Sequence, residues 1–172
     1  SVVLYALQDY IGEDSVNLAM REFLEAYKYV APYPTSEDFL AYLEPKIPDS
    51  LSYIMNDWFR TITLYDNRIT EANYQELENG QVEVTMQLTT KKLLADSIGE
   101  ESELPISDYI DIGLFADADE EDLMYVQRIL MTAPETTIVV TVDSIPRKAA
   151  IDPKHLLIDR VFSDNVKTIK EL

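Results

Sequence analysis

The chain has 172 residues, is 47% hydrophobic and 27% charged, and carries a net charge of -18. That length holds one large domain or two small ones, and the composition excludes wholesale disorder. The acidity repels a phosphate backbone and an anionic membrane surface, so no nucleic acid and no direct membrane contact is expected.

There is no Cys, hence no disulfide and no thiolate metal site. No apolar run approaches the ~20 residues that span a bilayer, and no stretch reads as a signal peptide. The chain opens directly on a helical pattern without an initiator Met, as a fragment of a longer protein would.

In chain order, residues 1–11 form the first predicted helix, with Val3, Leu4, Leu7, Tyr10 and Ile11 apolar and Gly12 as its stop. Asp14 or Ser15 caps a second helix running to about Tyr29, with Val16, Ala19, Met20, Phe23, Leu24 and Tyr27 inward. Pro32 and Pro34 end it. Thr35 to Asp38 is a capping-box pattern opening a third helix, with Phe39, Leu40 and Leu43 inward. A fourth helix, capped by Asp49 or Ser50, places Leu51, Ile54, Met55, Trp58, Phe59 and Ile62 on one face. At that spacing Trp58 reads as core rather than as a stacking platform.

After Thr63 the period changes to two. Asn67–Leu77 and Gln81–Thr90 flank Glu78-Asn79-Gly80, a hairpin signal, since Asn and Gly tolerate positive φ. The second strand alternates, with Val82, Val84, Met86 and Leu88 on one face. Residues 96–102 form a polar loop. Tyr109–Ala116 alternates with Ile110, Ile112 and Leu114 inward. Asp117–Asp122 is an acidic loop. Leu123–Thr132 and Thr136–Val142 read as a pair joined at Ala133-Pro134. Ala149–Ile151 and Leu156–Val161 add short strands around Asp152-Pro153. The expected fold class is α+β: a small N-terminal helical bundle (1–64) followed by an Ig/fibronectin-like antiparallel β-sandwich (65–172).

Candidate chemistry is sparse. His155 is the sole histidine, so a zinc site needing two histidines cannot be built within the chain. There is no G-x-S-x-G elbow and no glycine-rich phosphate loop. Asp117, Asp119 and Asp122 are a calcium candidate, because calcium favours clustered carboxylate oxygens; a solvated hairpin loop explains them as well. No pair of carboxylates is singled out for glycoside hydrolysis.

Residues 1–62 resemble the end of the catalytic domain of aminopeptidase N-type zinc metallopeptidases. The resemblance is carried by Val2 to Leu7, Gly12-Glu13-Asp14, Phe23-Leu24, Ala26 to Tyr29, Thr35 to Phe39 and Asp57-Trp58-Phe59. The second half resembles the sandwich in a branch of these peptidases fused to an ABC-transporter permease. There the carrying residues are Asp108 to Phe115, Ala150 to Pro153, Leu156 to Arg160 and Asp164-Asn165. The chain departs from the family at Thr63-Leu64-Tyr65, where a Gly-x-Pro is common.

The family's zinc ligands, general-base Glu and catalytic Tyr match nothing in this sequence, so no catalytic residue carries over. The resemblance implies a non-catalytic C-terminal fragment that braces the catalytic domain and shapes its cleft. Its partners would be the upstream catalytic domain and, through the parent, a peptide substrate. Zinc is expected in the parent, which would be membrane-anchored with this chain in its soluble part. Self-association through the helical face is a further expectation. The alternative is a stand-alone protein- or glycan-binding module with a helical cap on an Ig-like sandwich.

Overall fold

The computed structural model describes residues 2–29 and 31–172. The chain divides into two compact units, Ser1–Ile62 and Thr63–Leu172. Among the described residues no helix is long and apolar enough to cross a membrane.

The first unit holds four helices: α1 (Val2–Ile11), α2 (Glu13–Tyr27), α3 (Ser36–Leu43) and α4 (Tyr53–Phe59). Gly12 ends α1 at φ 88°, donating its N–H to Gln8, and α2 begins at the next residue. The expected caps at Asp14 and Ser15 therefore lie inside α2, whose N-terminus has no side-chain cap. The α3 capping box forms: the Asp38 N–H donates to Thr35 Oγ1, and the Thr35 N–H donates to Asp38 Oδ2 at 2.7 Å.

The fourth helix is shorter than its apolar period. Asp49–Leu51 is a separate 3-10 turn, so neither Asp49 nor Ser50 caps α4, and Ile62 already belongs to a strand. Ala6, Leu7, Val16, Ala19, Leu40, Leu43, Ile54 and Met55 are buried. Phe23 joins this core by edge contacts with Phe39 and Tyr42, at 5.4 and 6.0 Å between ring centroids. Leu24, expected inward, is 63% exposed.

The second unit is a β-sandwich-like pair of sheets. The first sheet contains β1 (Ile62–Glu76), β2 (Val82–Ala95), β3 (Glu101–Leu104), β6 (Glu135–Val142) and β9 (Lys170–Glu171). β1 and β2 are neighbours across the expected turn, where Gly80 has φ 84°. The other edge of β2 is shared by β6 over Val82–Thr89 and by β3 over Lys92–Ala95. β9 pairs in parallel with β1. The second sheet has the order β5 (Leu123–Met131), β4 (Asp108–Phe115), β7 (Lys148–Ile151) and β8 (Val166–Thr168).

Three strand expectations are corrected. β5 and β6 do not form a hairpin: β5 pairs with β4 and β6 with β2, so residues 132–134 carry the chain between sheets. The last two residues of the expected 96–102 loop, Glu101 and Ser102, belong to a strand, Glu101–Leu104. Residues 156–161 form no strand beyond one bridge, Tyr65 to Asp159, because the Leu156 and Leu157 N–H groups are taken by the Asp152 carboxylate. β4 differs from a half-exposed strand: its outer-face residues Asp111, Gly113 and Phe115 are buried with Ile110, Ile112 and Leu114.

Candidate functional site

The second unit buries four carboxylates, each with its own partners. Asp108, Asp111, Asp152 and Asp159 are all buried. A buried carboxylate persists only when its oxygens are matched by donors or cations.

Asp108 opens β4 and takes two partners. Lys92 Nζ donates to its Oδ1 at 3.0 Å, and the Tyr65 hydroxyl donates to its Oδ2 at 2.7 Å. Asp111, three residues on, is held by the Arg128 guanidinium in a two-pronged contact of 2.7 and 2.9 Å. That planar fork is the strongest geometry a carboxylate can meet.

Asp152 has left-handed backbone, φ 51°, and opens a turn. Its N–H donates to the Asp111 carbonyl at 2.7 Å, and its carboxylate accepts from the N–H groups of Leu156 and Leu157, both at 2.9 Å. The turn lays Pro153 over Gly113, where an added Cβ would stand 2.8 Å from the proline ring. Pro153 and Leu123 thus cover the outer face of β4 at Gly113. Burial raises the Asp152 carboxyl above its ordinary value, against the lowering pull of the two N–H donors. Asp159 accepts from the N–H of Asn67 and of Val161, at 2.9 Å each.

The side-chain amides of Asn67 and Asn165, also buried, meet no hydrogen-bonding partner among the described residues. Buried amides of this kind are ordinarily satisfied by internal water.

These contacts define what the set does chemically. Each carboxylate is spent on a backbone turn or on a cation of its own sandwich. Asp159 lines a cleft of about 200 Å³ together with Tyr65, Arg68, Glu101, Arg160 and Val161. Its oxygens there bond two backbone amides. The acids in Asp108–Phe115, Ala150–Pro153 and Leu156–Arg160 thus bond within the sandwich itself.

The remaining candidates lie apart from this set. Asp117 accepts from the N–H groups of Glu121 and Asp122 and so closes its own loop, while Asp119 and Asp122 are exposed. His155 is exposed, with φ 54°, and its ring lies 4.7 Å from that of Phe162. Among the described residues no group of three or more His, Cys, Asp or Glu is arranged to hold a metal ion. A donor set of one histidine and no cysteine does not fit a peptidase zinc. In the first unit Trp58 is half-buried, not enclosed, with Tyr10 edge-on at 5.0 Å.

Sequence reasoning singled out neither these four acids, which entered within the stretches carrying the resemblance, nor their partners. Lys92 sits on the inward face of β2, in phase with Val82, Val84, Met86 and Leu88. A lysine on an apolar strand face signals a buried counter-ion.

Fold and buried set together define an α+β protein whose sandwich is held by paired interior carboxylates. Among solved structures the chain is similar to the crystal structure of Legionella pneumophila aminopeptidase A in complex with aspartic acid. The TM-score is 0.52 at 13% identity, covering 95% of this chain and 19% of that one. The likeness is one of fold, and the chain spans under a fifth of that protein's length. No protein-family model matches the sequence, and no curated protein matches it.

Proposed function

We propose that this chain is a non-catalytic C-terminal part of an aminopeptidase N-like zinc metallopeptidase, bracing the catalytic domain. The observation that carries this reading is the extent of the fold likeness. One alignment to an aminopeptidase takes in 95% of this chain, helices and sandwich alike, yet only 19% of the larger protein. The geometry is consistent with it, since the buried acids serve the fold and none is offered with a free partner to a substrate.

In this reading the chain alone is not an enzyme. Zinc, the peptide substrate and the hydrolytic step belong to the parent's upstream domain. The helical unit supplies the contact, with Val2 and Tyr5 on α1 and Leu18 and Leu24 on α2 exposed. Exposed apolar groups of this kind also favour weak self-association, which salt strengthens by screening the net charge of -18. The finer placement, in the branch fused to an ABC-transporter permease, rests on the sequence resemblance of Asp108–Phe115, Ala150–Pro153, Leu156–Arg160 and Asp164-Asn165.

The coding sequence upstream of Ser1 tests the proposal. An H-E-x-x-H helix followed by a further Glu as the third zinc ligand supports it. A start codon directly before Ser1, or one tightly bound zinc per purified chain with aminoacyl-anilide turnover, overturns it.

A further inference from the structure

Strand β6 is a bare sheet edge. Every residue from Glu135 to Val142 pairs with β2, in unbroken register from Glu135↔Thr89 to Val142↔Val82. No other described strand pairs along its opposite side. Residues 136–142 read Thr-Thr-Ile-Val-Val-Thr-Val: all β-branched, uncharged and free of Pro. Edge strands are ordinarily blunted by a lysine, a proline, a bulge or short length. Other long edges are treated in that way: β5 has Arg128 in its middle and a register shift against β4 at Leu114/Phe115, and the side of β1 that β9 meets only at Asn73 and Tyr74 carries Asp66, Arg68 and Glu71. β3 and β8 are short.

The inner face of β6 is anchored, with Val140 and Val142 buried. Its outer face presents Thr137, Val139 and Thr141, of which Val139 is 54% exposed. A groove of about 420 Å³ lies over the sheet across β1, β2 and the start of β6, lined by Thr70, Gln87, Thr89, Glu135 and Thr137 among others, on the paired side of β6 rather than at its free edge.

Charge decides the occupant. Glu135 begins the strand and Asp143 follows it, and Glu83 stands beside Thr141 on β2. Asp143 accepts from Gln81, a neutral donor that leaves its charge in place. A second copy pairing antiparallel about Val139 would set Glu135 against the other copy's aspartate at both ends. Like charges directly opposed destabilise a ladder. A strand with cationic ends meets attraction there instead.

We propose that β6 is a docking edge for an extended segment of another polypeptide, uncharged and β-branched in its middle and flanked by Lys or Arg. Main-chain hydrogen bonds along β6 supply the affinity, and the acidic ends set the register and select the partner.

The test titrates the full chain with acetyl-Lys-Thr-Val-Thr-Val-Thr-Lys-amide and with the same peptide flanked by Glu. Backbone amide exchange and chemical shifts are followed residue by residue. The Lys-flanked peptide is expected to slow exchange along residues 136–142 saturably, with affinity falling as salt rises. The Glu-flanked peptide is expected to bind at least tenfold more weakly. Val139→Lys should weaken binding at least tenfold, whereas Val126→Lys on β5 should leave it unchanged. Circular dichroism of both variants checks the fold, and the exchange map of the unmodified chain decides the matter if Val139→Lys does not fold. Protection elsewhere, equal binding of both peptides, or protection of β6 by self-association without peptide would overturn the proposal. Neither the peptide nor these variants touches a zinc-binding question, so its failure leaves the peptidase reading standing.

Discussion

Lys92 and Asp108 form an ion pair at 3.0 Å between side chains only 8% and 2% exposed, joining β2 of one sheet to the start of β4 in the other. Removing one partner of a buried pair strands the other charge, at a cost of about 3–5 kcal/mol. Lys92→Met and Asp108→Asn should therefore each be strongly destabilising. The double variant should lose less than the sum, because it leaves no bare charge and the new amide oxygen on β4 can still accept from the Tyr65 hydroxyl. Urea denaturation of the four proteins measures the coupling; strict additivity would show that the pair does not act as one.

Gly113 is required for the space it leaves. Its Cβ position lies 2.8 Å from Pro153 Cγ and 2.9 Å from Leu123 Cδ1. Overpacking of this kind costs about 1–3 kcal/mol. Gly113→Ala should lose stability in that range, and Pro153→Ala in the same chain should recover part of it. A denaturation midpoint unchanged by Gly113→Ala would mean that the Asp152 turn does not press on β4.

Asp152 gives a pH dependence of stated sign. Its carboxyl is raised above the ordinary aspartate value of 3.8, chiefly by burial. The native state then binds this proton more tightly than the unfolded chain does. Its contribution to stability is full below the unfolded value and is lost as pH rises through the native one. The stability difference between the unmodified chain and Asp152→Asn should accordingly shrink with rising pH over that window. Thermal unfolding of both proteins across the acid range checks this, and a difference that grows with pH would refute it.

Trp58 is half-buried against Tyr10. Trp58→Ala should cost less than the ~3–5 kcal/mol typical of an enclosed large aromatic. Ile54, on the same helix and fully buried, should be the costlier truncation at ~2–5 kcal/mol. Trp58→Phe should retain most of the edge contact with Tyr10. Chemical denaturation ranks the three, and a Trp58→Ala loss exceeding that of Ile54→Ala would reverse the assignment.

What the sequence determined by itself is local. The Thr35–Asp38 box, the stop at Gly12, the turn at Asn79-Gly80 and the alternation of Val82 to Leu88 need only neighbours a few residues away. Side-chain period and backbone φ write them directly into the order of residues. The α+β class followed, because helical period gives way to strand period near Thr63.

Tertiary structure alone decided which strands meet. The link at Ala133-Pro134 serves a hairpin or a crossing between sheets equally well, and the β-branched face of β6 chose the ladder on β2. It also decided what the acids do. Asp108 and Lys92 are sixteen residues apart in the chain, and Asp159 reaches Asn67 across ninety-two. A carboxylate in a sequence looks the same whether it will be hydrated, bind a metal or staple a turn. The donor brought beside it by distant segments settles which, and in this sandwich those donors are a lysine, an arginine, a tyrosine and backbone amides.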